Sequence, residues 1–346
     1  MKKLGTKDIK VLIVFNGVVE NGAEKDPDFI SEAEVRKMAT FVYDAAVAEG
    51  YAAMTMPIFD ICRDIPKIMD LNPDILINLC EGYRGNSQDE MNIAGLWELL
   101  GLPYTGNTPS TLALAQDKTA AKAIFTANNI PTPPYEVFSS VPKNTCLEFP
   151  VIAKPAREDA SLGINADSVL KNIGQLRGKT AELLEKYKQP VLVEKFIQGR
   201  EFNVAILGNC PPRVLPVSEI DFSRLGAEDA HVTSYEAKWI EDHPLYKGTP
   251  SKCPADISFK TKKALGDVAL RVFRALNGKD YGRVDMRMDD EGNIFVLEYN
   301  PNPDISPESG YCKALKAAGI SFGDFIGRLI SDNLNGTENE NKKNVA

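Results

Sequence analysis

The stretch from Tyr281 to Pro303, YGRVDMRMDDEGNIFVLEYNPNP, decides the fold because it predicts a β-hairpin that carries acidic side chains. Polar and apolar residues alternate on both sides of the sequence DEGN at 290–293, so each predicted strand has one polar and one apolar face. If these four residues form the turn, Asp285 lies opposite Glu298 on the polar face. A slip of one residue would send the two carboxylates to opposite faces.

Two carboxylates that face each other destabilise a sheet unless a cation lies between them. Asn300, two residues beyond Glu298, adds an amide oxygen to the same face. Oxygen ligands of this kind suit Mg²⁺ (or Mn²⁺), which takes one or two carboxylates and completes its shell with water and phosphate oxygens. The residues alone leave a second interpretation open, in which Arg283 and Arg287 neutralise the acids on a solvent-exposed face.

Composition excludes several classes of protein. With 346 residues, 43% of them hydrophobic and 25% charged, the chain is expected to be soluble and globular, with two or three domains. Its net charge of −8 and its lack of a Lys/Arg cluster argue against nucleic acid as a partner. No stretch is apolar enough to span a membrane, and the run Val11 to Phe15 is too short for a signal peptide. We therefore expect a cytoplasmic protein without a membrane partner.

Cysteine and histidine usage narrows the chemistry further. The six cysteines are scattered without a CxxC pair, which is typical of reduced thiols rather than of a disulfide or zinc framework. The only two histidines, His231 and His243, are expected in surface loops. The sequence therefore offers few candidates for catalysis by histidine.

The N-terminal third alternates apolar strands with helices. Runs at 9–16 and 74–80 predict buried strands, a further strand is predicted at 52–58, and capping boxes at Ser31 and Ser87 begin two helices. This order predicts an open, doubly wound sheet whose ligands gather at the carboxyl ends of the strands. No GxGxxG motif follows the first strand, so a dinucleotide cofactor is not expected.

The rest of the chain continues as an α/β protein. A helix is predicted at 110–129, a second sheet region begins at Glu201, and a mobile-looking loop with Lys154 at its root runs from 155 to 164. A terminal helix is predicted near 322–333, and the polar tail 335–346 is expected to be disordered.

Four motifs, taken together, resemble the ATP-grasp superfamily and, within it, the D-alanine–D-alanine ligase family. They are ELLGLPYTGNTPSTLALAQDKTAAK at 98–122, VLVEKFIQGREFNV at 191–204, YEAKW at 235–239, and GRVDM followed by LEYNPNP between 282 and 303. The resemblance extends to about residue 333. It implies an ATP-grasp fold with an N-terminal open α/β domain of the Rossmann-like, pre-ATP-grasp type.

The domains implied are 1–108 (N-terminal α/β), 109–194 (central ATP-grasp subdomain) and 195–334 (C-terminal ATP-grasp subdomain), with ATP held between the last two. The residues that the resemblance assigns to ATP are Lys118 and Lys154 for phosphate, Ser161 in the loop, Glu194, Phe196 and Ile197 for adenine, and Glu201 for ribose. Without the resemblance, the two lysines are ordinary surface residues and the glutamates are ordinary carboxylates at the ends of strands or helices.

The resemblance also implies the chemistry. Asp285, Glu298 and Asn300 match the metal ligands, and Arg283 matches the arginine that stabilises a developing oxyanion. Glu32 aligns with the residue that meets the ammonium of the first amino acid, and Lys238 and Ser309 match contacts to substrate carboxylates. The implied activity is ATP-dependent ligation of a carboxylate to an amine through an acyl phosphate, giving a dipeptide. The partners implied are small-molecule amino acids and, since dimers are common in the family, a second copy of the chain.

Departures from the family pattern concentrate on substrate recognition. Ala160 and Trp239 replace a serine and a tyrosine, Asp304 and Gly310 replace a glycine and a leucine, and the loop 81–86 replaces a His-containing loop. ATP chemistry is therefore expected to be kept, and D-alanine is expected not to be the best substrate in at least one position. An alternative stays open, in which the chain is a non-catalytic ATP-binding regulator or complex partner on the same scaffold.

Overall fold

A computed structural model describes residues 6–17, 27–158, 166–226 and 243–344, together with Gly163 and Val232. These residues form three sheets of three, six and four strands. No helix in the described ranges has the length and apolar character needed to cross a bilayer.

The first sheet is parallel, with strand order β2-β1-β3. Its elements, in chain order, are β1 (Lys10–Asn16), α1 (Pro27–Ala48), β2 (Ala52–Ile58), α2 (Ile61–Leu71), β3 (Ile75–Leu79) and α3 (Glu90–Leu99). The predicted alternation of strands and helices is confirmed. However, α1 begins at Pro27 rather than at Ser31, because proline suits the first position of a helix.

Two helices, and not the predicted single one, follow this sheet: α4 (Pro109–Gln116) and α5 (Lys118–Ala127). Asp117 separates them, because its backbone is extended (φ −78°, ψ 92°) and its carboxylate accepts hydrogen bonds from the Thr119 and Ala120 amides. An aspartate that satisfies these amides stabilises a helix start more than it stabilises a helix interior. Lys118 therefore opens a helix.

The second sheet is antiparallel, with strand order β4-β7-β5-β6. Its elements are β4 (Tyr135–Phe138), β5 (Val151–Pro155), β6 (Val169–Leu170), α6 (Ile173–Tyr187) and β7 (Val191–Lys195). Leu176 and Leu183 of α6 pack with Val151, Val191 and Val193 in a buried core. The opposite face of the sheet remains available for a site.

The third sheet has the strand order β11-β10-β8-β12-β13, with β9 paired to β8. Its strands are β8 (Arg200–Leu207), β9 (Arg213–Val214), β10 (Ser218–Ile220), β11 (Ser251–Lys252), β12 (Tyr281–Met288) and β13 (Ile294–Asn300). The helices in this part are α7 (Pro244–Gly248), α8 (Phe259–Ala275), α9 (Gly310–Ala317) and α10 (Phe322–Asn344). Helix α8 buries Leu265, Ala269 and Val272 against the sheet.

The predicted hairpin is confirmed, and Asp285 does pair with Glu298. It reaches that register by a different route, because β12 ends at Met288 and β13 starts at Ile294, which leaves a five-residue turn. The ladder then shifts between Asp285 and Met286, which pairs with Val296. Leu297 is the extra residue of a β-bulge, and this bulge restores the opposition of the two carboxylates.

The two ends of the described chain share one core. Strand β1 contributes Val11, Ile13 and Phe15 to this core, and helix α10 contributes Phe325, Ile326, Leu329 and Ile330. The rings of Phe41 in α1 and Phe322 in α10 stack with centroids 4.2 Å apart.

Helix α10 continues to Asn344, past residue 335 where the tail was predicted to begin, and the disorder of that tail stays a prediction. Glu and Lys are good helix formers, and no proline interrupts 322–344. The domain boundaries at 108 and 194 stay predictions.

Candidate active site

A cleft of about 630 Å³, open to solvent, lies between the second and third sheets. Strands β5 and β7 contribute Lys154 and Glu194, and β8, β12 and β13 contribute Glu201, Asp285, Arg287, Leu297 and Glu298. The connection between β7 and β8 adds Phe196 and Ile197. Most of the residues predicted for ATP and metal therefore lie in one cleft.

Asp285 occupies the centre of the acidic part of the cleft. Arg283 grips its carboxylate, with Nε 2.7 Å from Oδ1 and Nη2 2.8 Å from Oδ2, and Asn203 Nδ2 donates to Oδ1 at 2.8 Å. Burial opposes the charge on Arg283, but Asp285 and Glu298 outweigh it and raise the pKa of Arg283 above its ordinary value. Arg283 is therefore a permanent cation in the cleft.

Glu298 lies opposite Asp285 and faces Lys118, with Lys118 Nζ 3.7 Å from Glu298 Oε2. Lys118 is only 4% exposed although its position at the start of a helix gives no sign of burial. Its amide donates to Ala156 O at 2.9 Å, and its ammonium donates to Glu158 O. This lysine therefore connects the acidic hairpin to the root of the loop that follows β5.

Glu194 joins two lysines in a buried ion cluster. Its carboxylate contacts Lys122 and Lys154, with Lys154 Nζ 2.5 Å from Oε2, and all three side chains are almost fully buried. Burial disfavours the charge on Glu194, yet the two lysines lower its pKa below the ordinary value. The Glu194 side chain is thus occupied by these lysines, so a contact with adenine would have to come from its backbone.

Lys122 was not among the predicted site residues. Its ammonium also donates to Thr132 Oγ1 at 2.6 Å and to Val296 O at 3.1 Å, so it contacts both sheets. Nothing in the local sequence distinguishes it from Lys118, four residues earlier. Only its distant partners reveal its role.

Arg287 was also missed, because the sequence placed it beside the metal-binding acids. Instead, its Nε and Nη2 donate to Glu201 Oε2 at 3.1 and 2.9 Å, and its Nη1 donates to Ile197 O at 2.7 Å. The guanidinium lies 4.8 Å from the centroid of the Phe196 ring. Arg287 therefore gathers three of the residues that were predicted to hold adenosine.

The remaining predicted residues are placed as follows. Asn300 ends β13 and accepts from the Asn302 amide at 3.0 Å, while Ser309 caps α9 by accepting from the Cys312 amide at 3.2 Å. The backbone of Glu32 lies in α1, and its side chain is not described. Ser161 and Lys238 lie outside the described residues. The roles assigned to these residues stay predictions.

Comparisons of the sequence with known proteins agree on one family. The family model described as "D-ala D-ala ligase C-terminus" matches residues 119–331. A D-alanine–D-alanine ligase of Gloeobacter violaceus is 32% identical over 282 residues, which cover 77% of this chain and 88% of that protein. One from Pelotomaculum thermopropionicum is also 32% identical, over 87% of this chain and 92% of its own length. An uncharacterized protein of Sinorhizobium fredii is 35% identical over 74% of this chain and 73% of its own.

Solved structures agree at the level of the fold. The D-alanine–D-alanine ligase of Bacillus anthracis, crystallised with ATP, superposes with a TM-score of 0.73 at 20% identity, over 96% of this chain and 99% of that one. The match of the family model, the identity to the curated ligases and this superposition all point the same way. The chain therefore belongs to the D-alanine–D-alanine ligase family of ATP-dependent ligases, and its fold is the ATP-grasp fold of that family.

Proposed function

We propose that the chain joins two amino acids in an ATP-dependent reaction, with ATP in the cleft between the second and third sheets. The observation that supports this most directly is the convergence of opposite charges at one end of the cleft. Asp285 and Glu298 face each other there, Arg283 grips the first and Lys118 faces the second. Such an arrangement suits phosphoryl transfer, in which developing charge is stabilised by fixed groups.

The donor set fits a magnesium ion. Within the described ranges no three His, Cys, Asp or Glu side chains are grouped to hold a metal. Mg²⁺ commonly needs only one or two carboxylates, since water and phosphate oxygens complete its octahedron. Asp285 and Glu298 would supply the carboxylates and Asn300 an amide oxygen. Once bound, the ion would offset charge on the phosphate oxygens.

The side chains of this protein would divide the remaining work. Lys118, at the start of α5, would attract the phosphates. Lys154, whose ammonium pairs with Glu194, would be the second lysine near them. Attack of the donor carboxylate on the terminal phosphate breaks its bond to ADP, which leaves, and gives an acyl phosphate. The acceptor amine then attacks the acyl carbon, loses a proton and displaces inorganic phosphate. Arg283 would donate to the oxyanion of that second step. One such donor is worth about 3 kcal/mol in comparable sites.

Substrate selection is proposed to differ from that of the D-alanine ligases. Gly310 begins α9, and among the described residues a Cβ there would approach only Ser251 Oγ, at 3.9 Å. Asp304 turns the chain just before it and accepts from the Ser306 amide and hydroxyl at 2.7 and 2.9 Å. A larger or cationic acceptor would fit this combination of space and negative charge. D-alanine would then not be the best substrate in at least one position.

The test is phosphate release from ATP with Mg²⁺ across a panel of D- and L-amino acids, with dipeptide products identified by mass. We expect release that depends on amino acids and stops in Asp285→Asn and in Glu298→Gln, because each loses a ligand charge at nearly constant volume. Asp267→Asn, which removes a charge from an exposed ion pair on α8, serves as the control. ATP binding without any product across the panel would favour a non-catalytic nucleotide-binding protein.

Two further expectations rest on the family alone. We propose that the protein works in the cytoplasm, on small molecules, and that it forms a homodimer. Light scattering on the purified protein tests the dimer, and a monomeric mass at micromolar concentration would contradict it.

A further inference from the structure

We propose that Arg287 is a positioning residue of the nucleotide site, which fixes the Glu201 carboxylate and the Phe196 ring and so gives the site its preference for ribose over deoxyribose. This inference rests on the proposed binding of ATP in the cleft. Arg287 is 2% exposed and Glu201 is 7% exposed, yet both line the cleft. A buried pair of charges beside a ligand is worth explaining, because desolvation makes such pairs costly.

Arg287 orients the Glu201 carboxylate. Both guanidinium nitrogens that reach Glu201, Nε and Nη2, donate to the same oxygen, Oε2. Two donors on one oxygen restrict rotation of the carboxylate and so limit the directions in which Oε1 can face. An ionised carboxylate is a pure acceptor, and the hydroxyl groups of a ribose are donors that such an oxygen can bind.

Arg287 also packs against the aromatic wall of the pocket. The Arg287 guanidinium lies over the Phe196 ring at 4.8 Å, and the ring of Phe222 lies 5.7 Å away. Its Nη1 also holds the carbonyl of Ile197 at 2.7 Å, in the connection between β7 and β8. A planar cation with several donors makes these contacts together, whereas a lysine would offer a point charge without a face to stack. Arg287 thus fixes a carboxylate, an aromatic ring and a backbone segment at once.

Arg287 lies on the same strand as Asp285, the proposed metal ligand. Arg287 lies two residues beyond Asp285 on β12, so both side chains point to the same face, about 7 Å apart along the strand. Glu201 is its register partner on β8. The proposed ribose contact and the proposed metal ligand Asp285 therefore depend on neighbouring positions of β12.

The test is calorimetric binding of ATP, 2′-deoxy-ATP and 3′-deoxy-ATP, with Mg²⁺ and without amino acids, so that turnover plays no part. We expect the parent to prefer ATP to at least one deoxy analogue by about tenfold, the effect of one hydrogen bond to a charged group. In Arg287→Met this preference should fall to less than about twofold, chiefly through weaker ATP binding. Arg287→Lys should be intermediate, and it replaces the Met variant if that variant does not fold.

A matched control lies on the neighbouring strand. Arg200 pairs with Glu219 at 2.6 and 2.7 Å and lies 5.1 Å from the Phe202 ring, but it does not line the cleft. Arg200→Met should therefore leave the preference for ATP unchanged. Glu201→Gln should abolish the preference, and adding Arg287→Met to it should change the ratio no further, since both act through one carboxylate.

The outcomes are distinguishable. If Arg287→Met binds all three nucleotides more weakly but keeps the parent's ratio, its role is structural and this inference is wrong. A parent that binds ATP and both deoxy analogues equally would also overturn it, while leaving the proposed function intact. A parent that binds no nucleotide would overturn the proposed function and this inference together.

Discussion

At the scale of single residues, Lys122, Glu194 and Lys154 form an almost fully buried group of charges beside the cleft. Two ammonium groups share one carboxylate, so the cluster carries one positive charge in excess. Burial lowers the pKa of Lys122 to about 8, and Glu194 offsets only part of that effect. A buried charge that lacks a full partner destabilises the folded state.

This pKa leads to a prediction about stability and pH. Between about pH 8 and about pH 10.5 the unfolded chain keeps a proton on Lys122 that the folded chain has lost. The contribution of Lys122 to the free energy of unfolding therefore increases as the pH rises through this range. In Lys122→Met that gain is absent, and the stability difference should therefore shift in favour of the parent across this range. Urea unfolding at several pH values measures it.

Lys263→Met is the control, because Lys263 lies in an exposed pair with Asp267. A difference between the parent and Lys122→Met that stays constant with pH would show that Lys122 remains charged throughout. The prediction concerns only the slope, since the Met variant also loses the hydrogen bonds to Thr132 and Val296.

At the scale of elements, the hairpin shows which features of the fold could be predicted from the sequence and which could not. Period-2 alternation correctly paired Asp285 with Glu298, but it also put Leu297 on the apolar face. In the structure the bulge lets Leu297 and Glu298, neighbours in sequence, both line the cleft. A bulge within an apolar run leaves no local trace, so alternation alone could not reveal it.

The bulge makes a prediction of its own. Deleting Leu297 would give a regular ladder in which Asp285 still faces Glu298, because the extra residue is the one removed. We expect the variant to fold and to bind Mg²⁺, but to bind ATP about tenfold more weakly, since one apolar side chain has left the pocket. Leu297→Ala should show a smaller loss. Parental ATP affinity in the deletion variant would show that Leu297 does not contact the nucleotide.

Other misses share a physical cause. Arg287 finds Glu201 across 86 positions of sequence, and Lys122 finds Glu194 across the space between a helix and a strand. Local patterns identify which residues are charged and which face they occupy, but not the distant partners that they find. The break at Asp117 was different, because an aspartate two residues before a threonine is a recognisable cap, and it could have been predicted.

That cap carries the next prediction. Asp117→Ala removes the two amide contacts of α5 and the ion pair with Arg157 at 2.9 Å, so the free energy of unfolding should fall by about 1–2 kcal/mol. Because Lys118 is the first residue of that helix, ATP binding should weaken as well. Ser258→Ala removes a comparable cap from α8 and should lower stability without affecting ATP binding. Equal ATP affinity in both variants would contradict the role given to Lys118.

At the scale of the whole molecule, one buried carboxylate joins distant parts of the chain. Asp280, 1% exposed, accepts hydrogen bonds from the Gly106 amide at 2.8 Å, Asn209 Nδ2 at 2.8 Å and Asn333 Nδ2 at 2.7 Å. These donors come from the connection before α4, the connection between β8 and β9, and helix α10. The residue directly precedes β12, so the joint lies at the base of the strand that carries Arg283 and Asp285.

We predict that Asp280→Asn lowers the free energy of unfolding by about 2–4 kcal/mol, because an amide would oppose at least one donor with a donor of its own. Thermal unfolding measures it. Asp332→Asn, in a half-exposed pair with Arg328 at 3.5 Å, should change stability by less than about 1 kcal/mol. Similar melting temperatures for the two variants would mean that Asp280 does not hold the parts together.

The shared core of β1 and α10 bears on how the protein is made. In the first sheet, Phe325, Ile326, Leu329 and Ile330 help to cover Val11, Ile13 and Phe15, and they are synthesised long after the strands of that sheet. At roughly 5–20 residues per second, the last helix leaves the ribosome about 15–60 s after the first strand. For that interval α1, through Val35, Met38 and Val42, covers only part of that side of the nascent sheet. A nascent chain stalled before Phe322 should accordingly remain a chaperone substrate, however well its middle sheets have folded.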